Sequence, residues 1–278
     1  MSGTLFVVAT PIGNLEDLTP RARRTLAEVS LIAAEDTRHT GRLLMHIGCK
    51  TRLMALHDHN EEKVVHGIIK SLKDGNDVAL VSDAGTPLVS DPGYRLVREA
   101  HANSIDVSPI PGSSAVTAAL SSAGIATDRF CFEGFLPSKQ AARREALAKL
   151  ATESRTMIFY ESVHRISDFI ADMVAAFGSD RHAFIGRELT KMHEQCVHES
   201  LSELQSQLES GAIVGKGEFV IVVAGSTAEH KSPLEVDRLL EALSPHLAAK
   251  DAAKVAADAT GLKRNALYDR LLELKQLR

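Results

Sequence analysis

The stretch Val78-Ala79-Leu80-Val81-Ser82-Asp83-Ala84-Gly85-Thr86-Pro87-Leu88-Val89-Ser90-Asp91-Pro92-Gly93 decides how this chain is read. Val78 to Val81 is a run of small apolar and β-branched residues, the pattern of a strand buried on both faces. It stops at a turn in which Gly85 permits backbone conformations closed to other residues and Pro87 fixes the exit. Asp91-Pro92-Gly93 then predicts a helix, with Asp91 as its cap and Pro92 in its first turn. In an open α/β sheet, ligands sit beyond the carboxyl ends of the strands. The stretch therefore reads either as one wall of a small-molecule site or as a tight strand-to-helix turn.

Working outward, the same alternation recurs. Strands are expected at 5–9, 30–34, 52–56 and 105–108. Helices are expected at 20–28, with Thr19 as cap and Pro20 first, at 40–47, from Glu61 to Lys73 with Asn60 as cap, and up to Ala123. About five strand-helix alternations in 125 residues predict a parallel, mostly doubly wound sheet. Four of its strand-to-helix junctions are rich in Gly, Pro, Ser, Thr or Asp and fall on one sheet edge. After a linker at 124–128, strands at 130–135, 156–160, 182–187 and 219–223 predict a second α/β layer, more antiparallel than the first. Its helices are expected at 139–150, capped by Ser138, up to Phe177, and at 201–209. Beyond a polar linker at 227–233, strand signals vanish. Two helical stretches, 248–259 and 265–274, meet at Thr260-Gly261-Leu262-Lys263 and resemble a helix-turn-helix unit. The expected domains are 1–125 and 126–227, both α/β, and a helical extension, 233–278.

Composition narrows the classes. With 278 residues, 44% hydrophobic and 24% charged, the chain can bury a core without disulfides or metal. Three scattered cysteines, Cys49, Cys131 and Cys196, argue for a reducing compartment and against a zinc cluster. Neither a leader nor a long apolar run is evident, so a cytoplasmic location with no membrane partner is expected. The net charge of −4 gives no global support for nucleic-acid binding, and the absence of tryptophan argues against a multi-base stacking platform. Locally, residues 250–278 carry seven Lys/Arg against four acids, which suits either a packing tail or nucleic-acid contact.

Several familiar chemistries are disfavoured. No Gly-x-Gly-x-x-Gly follows the first strand, and no Walker-type loop occurs. His57-x-His59, with Asp58 between, has no further ligand at a metal-site spacing, so no metal is expected. Ser113-Ser114 lacks the Gly-x-Ser-x-Gly elbow of a hydrolase. Glu35-Asp36-Thr37-Arg38 is the better catalytic candidate. It sets carboxylates beside an arginine at a strand end of the same sheet edge, although such a pair can also be an ordinary surface ion pair.

Together the strings are more specific. They are T-P-I-G-N-L-x-D at 10–17, E-D-T-R at 35–38, H-x-H-N-E at 57–61, S-D-A-G-T-P-x-x-x-D-P-G at 82–93, P-x-P-G at 109–112, F-x-G-F-L-P at 132–137, Y-E-S at 160–162 and L-T-K at 189–191. Over about residues 4–225 and in its tail, the chain closely resembles the bacterial ribosomal RNA small subunit methyltransferase I family, in the tetrapyrrole methylase superfamily. The resemblance implies 2′-O-methylation of a decoding-centre cytidine in 16S ribosomal RNA of the small subunit, with S-adenosylmethionine (AdoMet) as methyl donor. It also implies a homodimer and two α/β domains of tetrapyrrole-methylase type with the donor in the cleft between them.

Carried over by motif, Asp83, Ala84, Gly85 and Leu88 would sit against the methionine part of the donor, with Ser113 and Ser114 near it. Tyr160, Leu189 and Gly217 would border the adenosine, and Gly13 belongs to the same cofactor-binding set. A Tyr-Asp-x-Leu string of tetrapyrrole methylases lines up on Glu35 to Arg38, which makes Asp36 the expected base and Arg38 its orienting partner or a phosphate contact. Arg21, Arg23, Arg24, Arg38, Arg42, Arg143, Arg144 and the tail are the expected RNA-facing cations. The competing readings are a small-molecule, tetrapyrrole-type methylase and a DNA-binding regulator with a sensory α/β domain. The first lacks its Gly-x-Gly-x-Gly opening here and would leave the tail superfluous.

Overall fold

A computed structural model describes residues 2–57, 60–227 and 233–276. Two compact units are present, Met1–Gly225 and Ser226–Arg278. The first holds two five-stranded sheets.

The first sheet contains β1 (Leu5–Val8), β2 (Leu31–Ala34), β3 (Leu53–Ala55), β4 (Val78–Val81) and β5 (Val107–Ile110). Their order is β3-β2-β4-β1-β5, and every pair is parallel. Strand alternation sorts the side chains onto two faces. Leu31, Ala33, Val78 and Leu80 face α3 (Glu61–Lys73) and α4 (Tyr94–Ala102), meeting Val65, Ile68, Leu72 and Leu96. Ile32, Ala34, Ala79 and Val81 face α1 (Pro20–Glu28) and α2 (Thr37–His46), meeting Leu26 and Leu44. The sheet is thus doubly wound, as the alternation predicts.

Some boundaries differ from expectation, three of them for a clear physical reason. Helix α2 starts at Thr37 rather than Thr40, because Asp36 is its cap and accepts a hydrogen bond from the Arg38 backbone amide. Strand β5 runs through Pro109 instead of ending at Ser108. It is an edge strand, where the missing proline N–H costs no ladder bond. Helix α4 begins after Gly93, so Asp91 does not cap it. Gly93 has φ 122°, and a Cβ there would lie 2.7 Å from Leu80 Cδ2. The buried Glu61 carboxylate caps α4 from α3, accepting from the Arg95 and Leu96 amides at 3.0 and 3.3 Å. Asn60 precedes α3 without capping it by its side chain. Its amide group spans back to His57 N and the Ala55 carbonyl. Asp58 and His59 lie outside the described residues.

The second sheet contains β6 (Phe130–Gly134), β7 (Thr156–Ser162), β8 (His182–Arg187), β9 (Gln195–Ser200) and β10 (Glu218–Val223), in the order β6-β7-β10-β8-β9. Only the β6–β7 pair is parallel, in line with the expected antiparallel character. Strand β9 falls in the passage that sequence patterning leaves polar, since an edge strand needs little apolar content. One face of the sheet packs on α6 (Gln140–Leu150), α7 (Ile166–Phe177) and α8 (Leu201–Ser210). Ser138 does not cap α6; Lys139 occupies that position without a side-chain bond. The other face receives α5 (Ala115–Ser122) from the first half. Val116, Ala119 and Leu120 pack on Ile158, Phe184, Val220 and Val222.

The second unit is three helices, α9 (Pro233–Leu243), α10 (Ala249–Thr260) and α11 (Arg264–Gln276). Helix α9 adds to the two expected. Val236, Leu240, Ala252, Ala256, Leu267 and Leu271 form its core. Gly261, with φ 70°, supplies the left-handed residue that ends α10. Arg270 binds Asp237 through two hydrogen bonds of 2.9 and 2.7 Å.

Within the second sheet's helical layer, Asp172 is buried and binds Arg143 at 2.6 Å and Arg144 at 2.6 Å. Arg143 is itself buried, which removes it from the expected RNA-facing set. Removing one member of a buried pair strands the other charge. Asp172→Ala is expected to cost about 3–5 kcal/mol of unfolding free energy in urea denaturation. A loss below about 1 kcal/mol would show the pair to be solvated.

Candidate functional site

The carboxyl ends of the first sheet meet one end of strands β7, β10 and β8 of the second. There lies a cleft of about 380 Å³. The first half contributes Ile12 after β1, Glu35 after β2, Asp83 to Thr86 and Val89 to Asp91 after β4, and Ser114 and Ala115 at the start of α5. The second half contributes Phe135 after β6, Tyr160 to Ser162 on β7, Gly186, Leu189 and Lys191 around the end of β8, and Glu218 to Val220 on β10. A second cavity of about 350 Å³ continues from it, lined by Thr10 to Gly13, His39, Thr40, Arg42 and Leu43, and shares Ile12, Asp83, Ala84, Lys191 and Glu218 with the first.

Backbone and side-chain bonds lock the first-sheet loops together. Thr10 and Gly85 exchange two backbone hydrogen bonds, of 2.9 and 3.0 Å. Gly85 has φ 81°, and a Cβ there would lie 3.2 Å from Ile12 Cγ2. Thr86 Oγ1 donates to the Ser113 carbonyl at 3.1 Å. The ends of β2 and β4 are cross-tied: Asp36 N donates to Asp83 Oδ1 at 3.0 Å, and Asp83 N to Glu35 Oε2 at 3.4 Å. Leu88, Ser90, Glu188 and Thr190 adopt positive φ values of 71°, 68°, 50° and 67°. Such conformations persist only where the surroundings over-determine them, and all four belong to loops beside the cleft.

The sequence-expected residues divide by position. Asp83, Ala84, Gly85, Ser114, Tyr160 and Leu189 line the first cleft. Gly13 lines the second cavity, and a side chain on it would overlap Lys191. Ser113 meets the cleft loops through its carbonyl. Leu88 turns its side chain into the first-half core, against the cluster of Leu80 and Leu96. Gly217 (φ 96°) is adjacent to Glu218 but does not line the cleft; a Cβ there would meet the Glu188 carboxyl at 2.5 Å.

Asp36 and Arg38 line neither cavity. The Asp36 carboxylate is bound by the Arg38 guanidinium at 3.1 and 2.7 Å and by its amide at 2.7 Å. Those hydrogen bonds, with the Arg38 charge, hold the carboxyl well below the usual carboxylate range. Arg38 itself is largely exposed.

Sequence reasoning passed over Asp91 as a site residue. Burial lifts its carboxyl to about 6, against a Ser82 hydrogen bond that lowers it; the Glu35 and Asp83 charges add to the rise. Across the cleft, burial pushes the Tyr160 phenol up to about 12, helped by the charge of Asp91. Phe135, Glu161 and Lys191 were also passed over, although each sits inside a motif string. Lys191 Nζ binds Glu188 Oε1 at 2.9 Å and Glu218 Oε2 at 2.8 Å. Among the described residues no cluster of His, Cys, Asp or Glu could hold a metal ion, and no helix is long and apolar enough to cross a membrane.

Arranged this way, the cleft offers an apolar wall, a group of carboxylates and a close backbone approach. That donor set fits a cationic nucleoside derivative such as AdoMet. Tetrapyrrole (Corrin/Porphyrin) Methylases match residues 4–205, and the RsmI C-terminal HTH domain matches residues 230–275. Ribosomal RNA small subunit methyltransferase I of Pseudomonas aeruginosa is 50% identical over 98% of this chain and 98% of its own length. The proteins of the same name from Xylella fastidiosa and Escherichia coli O157:H7 are 51% and 48% identical, over 96% and 98% of this chain and 98% and 95% of their own. Among solved structures, the methyltransferase CobJ aligns with a TM-score of 0.61 at 19% identity, over 84% of this chain and 98% of its own. Diphthine synthase aligns with a TM-score of 0.58 at 16% identity, over 80% and 90%. These structures share the fold, and the close relatives share the whole length: the chain belongs to the ribosomal RNA small subunit methyltransferase I family, within the tetrapyrrole methylases.

Proposed function

We propose that this ribosomal RNA methyltransferase acts on the 2′-hydroxyl of a cytidine ribose in the 16S RNA of the small ribosomal subunit. AdoMet is the methyl donor of the family. One observation supports the reading above others: a cleft that sets the carboxylates Glu35, Asp83 and Asp91 of one half opposite Tyr160 and Leu189 of the other. Asp83, Ala84, Gly85 and Ser114 would hold the amino-acid end of the donor, and Tyr160 and Leu189 its nucleoside. Gly13, Ser113, Leu88 and Gly217 belong to the same proposed set through the loops that carry them. When bound, the donor supplies an electrophilic methyl group on a sulfonium.

This chain must then orient a ribose hydroxyl and accept its proton. Asp36 is poorly suited as acceptor while Arg38 and the helix amide hold it ionised and weakly basic. We assign proton acceptance to Asp91, which lines the cleft and whose carboxyl burial lifts to about 6. Asp36 and Arg38 then act together as a rigid helix start, with the Arg38 guanidinium toward RNA. The reading carries with it a homodimer, a cytoplasmic setting, α/β domains at 1–125 and 126–227, and a helical extension at 233–278 that touches RNA.

Incubating the protein with labelled AdoMet and 30S subunits is expected to label 16S RNA. Because 2′-O-methylation blocks alkaline cleavage, the label should appear in an alkali-resistant dinucleotide containing cytidine. Label on a base, or in ordinary mononucleotides, would overturn the assignment.

The acidic limb of kcat/KM reports the free enzyme's base, which must be deprotonated. Activity is therefore expected to rise with pH through about 6 and then level. Asp91→Asn should remove that limb and lower kcat by about 10²–10⁴. Asp36→Ala should chiefly cost about 1 kcal/mol of stability through its lost cap. The reverse pattern of kcat losses would return the role to Asp36.

Arg42 lines the second cavity and is expected to meet a phosphate. Arg42→Glu should weaken subunit binding and reduce the salt slope by about one unit. An unchanged slope would place the RNA elsewhere.

A further inference from the structure

We infer that Phe135 is a preformed stacking surface for the base of the target nucleotide once that nucleotide has left its neighbours. The inference rests on the RNA-methylating reading above. It comes from the string F-x-G-F-L-P at 132–137, which the proposed donor site leaves unused.

In a regular strand, residues 132 and 135 would point to opposite faces, because the period is two. The pairing of β6 with β7 breaks this. Phe132 pairs with Ile158, but Gly134 pairs with Phe159, so Glu133 is an extra residue. After the bulge, parity is reversed, and Phe135 joins Phe132 and Tyr160 on the cleft side. The ring of Tyr160 meets Phe132 edge-on, with centroids 4.9 Å apart, and meets Phe135 at 5.5 Å and 61°. Phe135 is nevertheless 58% exposed while lining the cleft.

This exposure sits on a pinned backbone. Gly134 turns with φ 62°. Leu136, one residue on, is buried in the second-sheet core. Arg165 donates to the carbonyls of Leu136 and Pro137 at 2.8 and 3.2 Å, and its guanidinium lies 3.1 Å from the buried Glu161 carboxylate. A large aromatic ring on a tied backbone at the wall of a cleft offers a face that a planar group can cover. Enzymes that act on a base draw its nucleotide out of the stack; a ribose brought into this cleft would carry its base along, and an aromatic face replaces the lost stacking without reading sequence. The adenine of the donor is the rival occupant, and a second copy of the chain is another.

Phe135→Leu and Phe135→Trp in the full chain separate these. The leucine variant is expected to lose about tenfold or more in kcat/KM for 30S subunits at saturating AdoMet, the scale of one stacked base. Its calorimetric Kd for AdoMet should stay within about twofold, its sedimentation should match the parent, and the tryptophan variant should keep activity. Parallel loss of AdoMet affinity would hand the ring to adenine and overturn the inference, as would altered self-association or an unchanged kcat/KM. A parent protein that labels no RNA at all would sink the underlying reading as well. A parent that labels RNA beside an unaffected leucine variant would sink this inference alone.

Discussion

The structure depends on where α5 goes. This helix follows the last strand of the parallel sheet, yet Val116, Ala119 and Leu120 pack on Ile158, Phe184 and Val222 of the second sheet. The first half thereby donates a helix to the second half's core. Burying one such apolar side chain is worth roughly 1.5–3 kcal/mol, so separating the halves would expose both partners at considerable cost. The same crossing leaves the carboxyl ends of the first sheet opposite the second sheet. A cleft at that place is the direct consequence, and both halves must fold for it to exist.

Electrostatics inside the cleft follow from this geometry. Carboxylates at strand ends would ordinarily be solvated and fully ionised. Here Asp91 is partly desolvated beside Glu35 and Asp83, and its carboxyl is lifted to about 6. Asp36, one residue from Glu35, has the opposite fate, because a helix amide and a guanidinium claim it. Adjacent positions in the sequence thus become a cleft-facing acid and a structural ion pair. Strained residues at 88, 90, 188 and 190 flank the same space, which implies that the surrounding bonds hold those loops in place rather than letting them relax.

Much of this was legible beforehand. The apolar runs at Val78 to Val81 and Leu5 to Ala9 marked buried strands because a strand covered on both faces has no polar side. Clustered Gly, Pro, Ser or Thr after β1, β4 and β5 marked the edge that lines the cleft, since such residues favour tight turns. Strand β9 was not legible, because an edge strand carries a weak apolar pattern; helix α9 is as amphipathic as α10 and falls within the helical extension expected at 233–278, but was not singled out. The cap of α4 was misassigned to Asp91 because local spacing favours it. The true cap, Glu61, lies about thirty residues upstream and meets the helix only through packing of α3 on α4.

The sequence by itself determined the parallel first layer, the antiparallel second layer, the turn-rich edge and the family, because these are written in local patterns of polarity and in short strings. Tertiary structure alone decided which carboxylate sits in the cleft, that Arg143 is buried against Asp172, and that Phe132 and Phe135 share a face. The reason is physical: burial, strand register and charge proximity are properties of residues brought together from distant positions, and no window along the chain contains them.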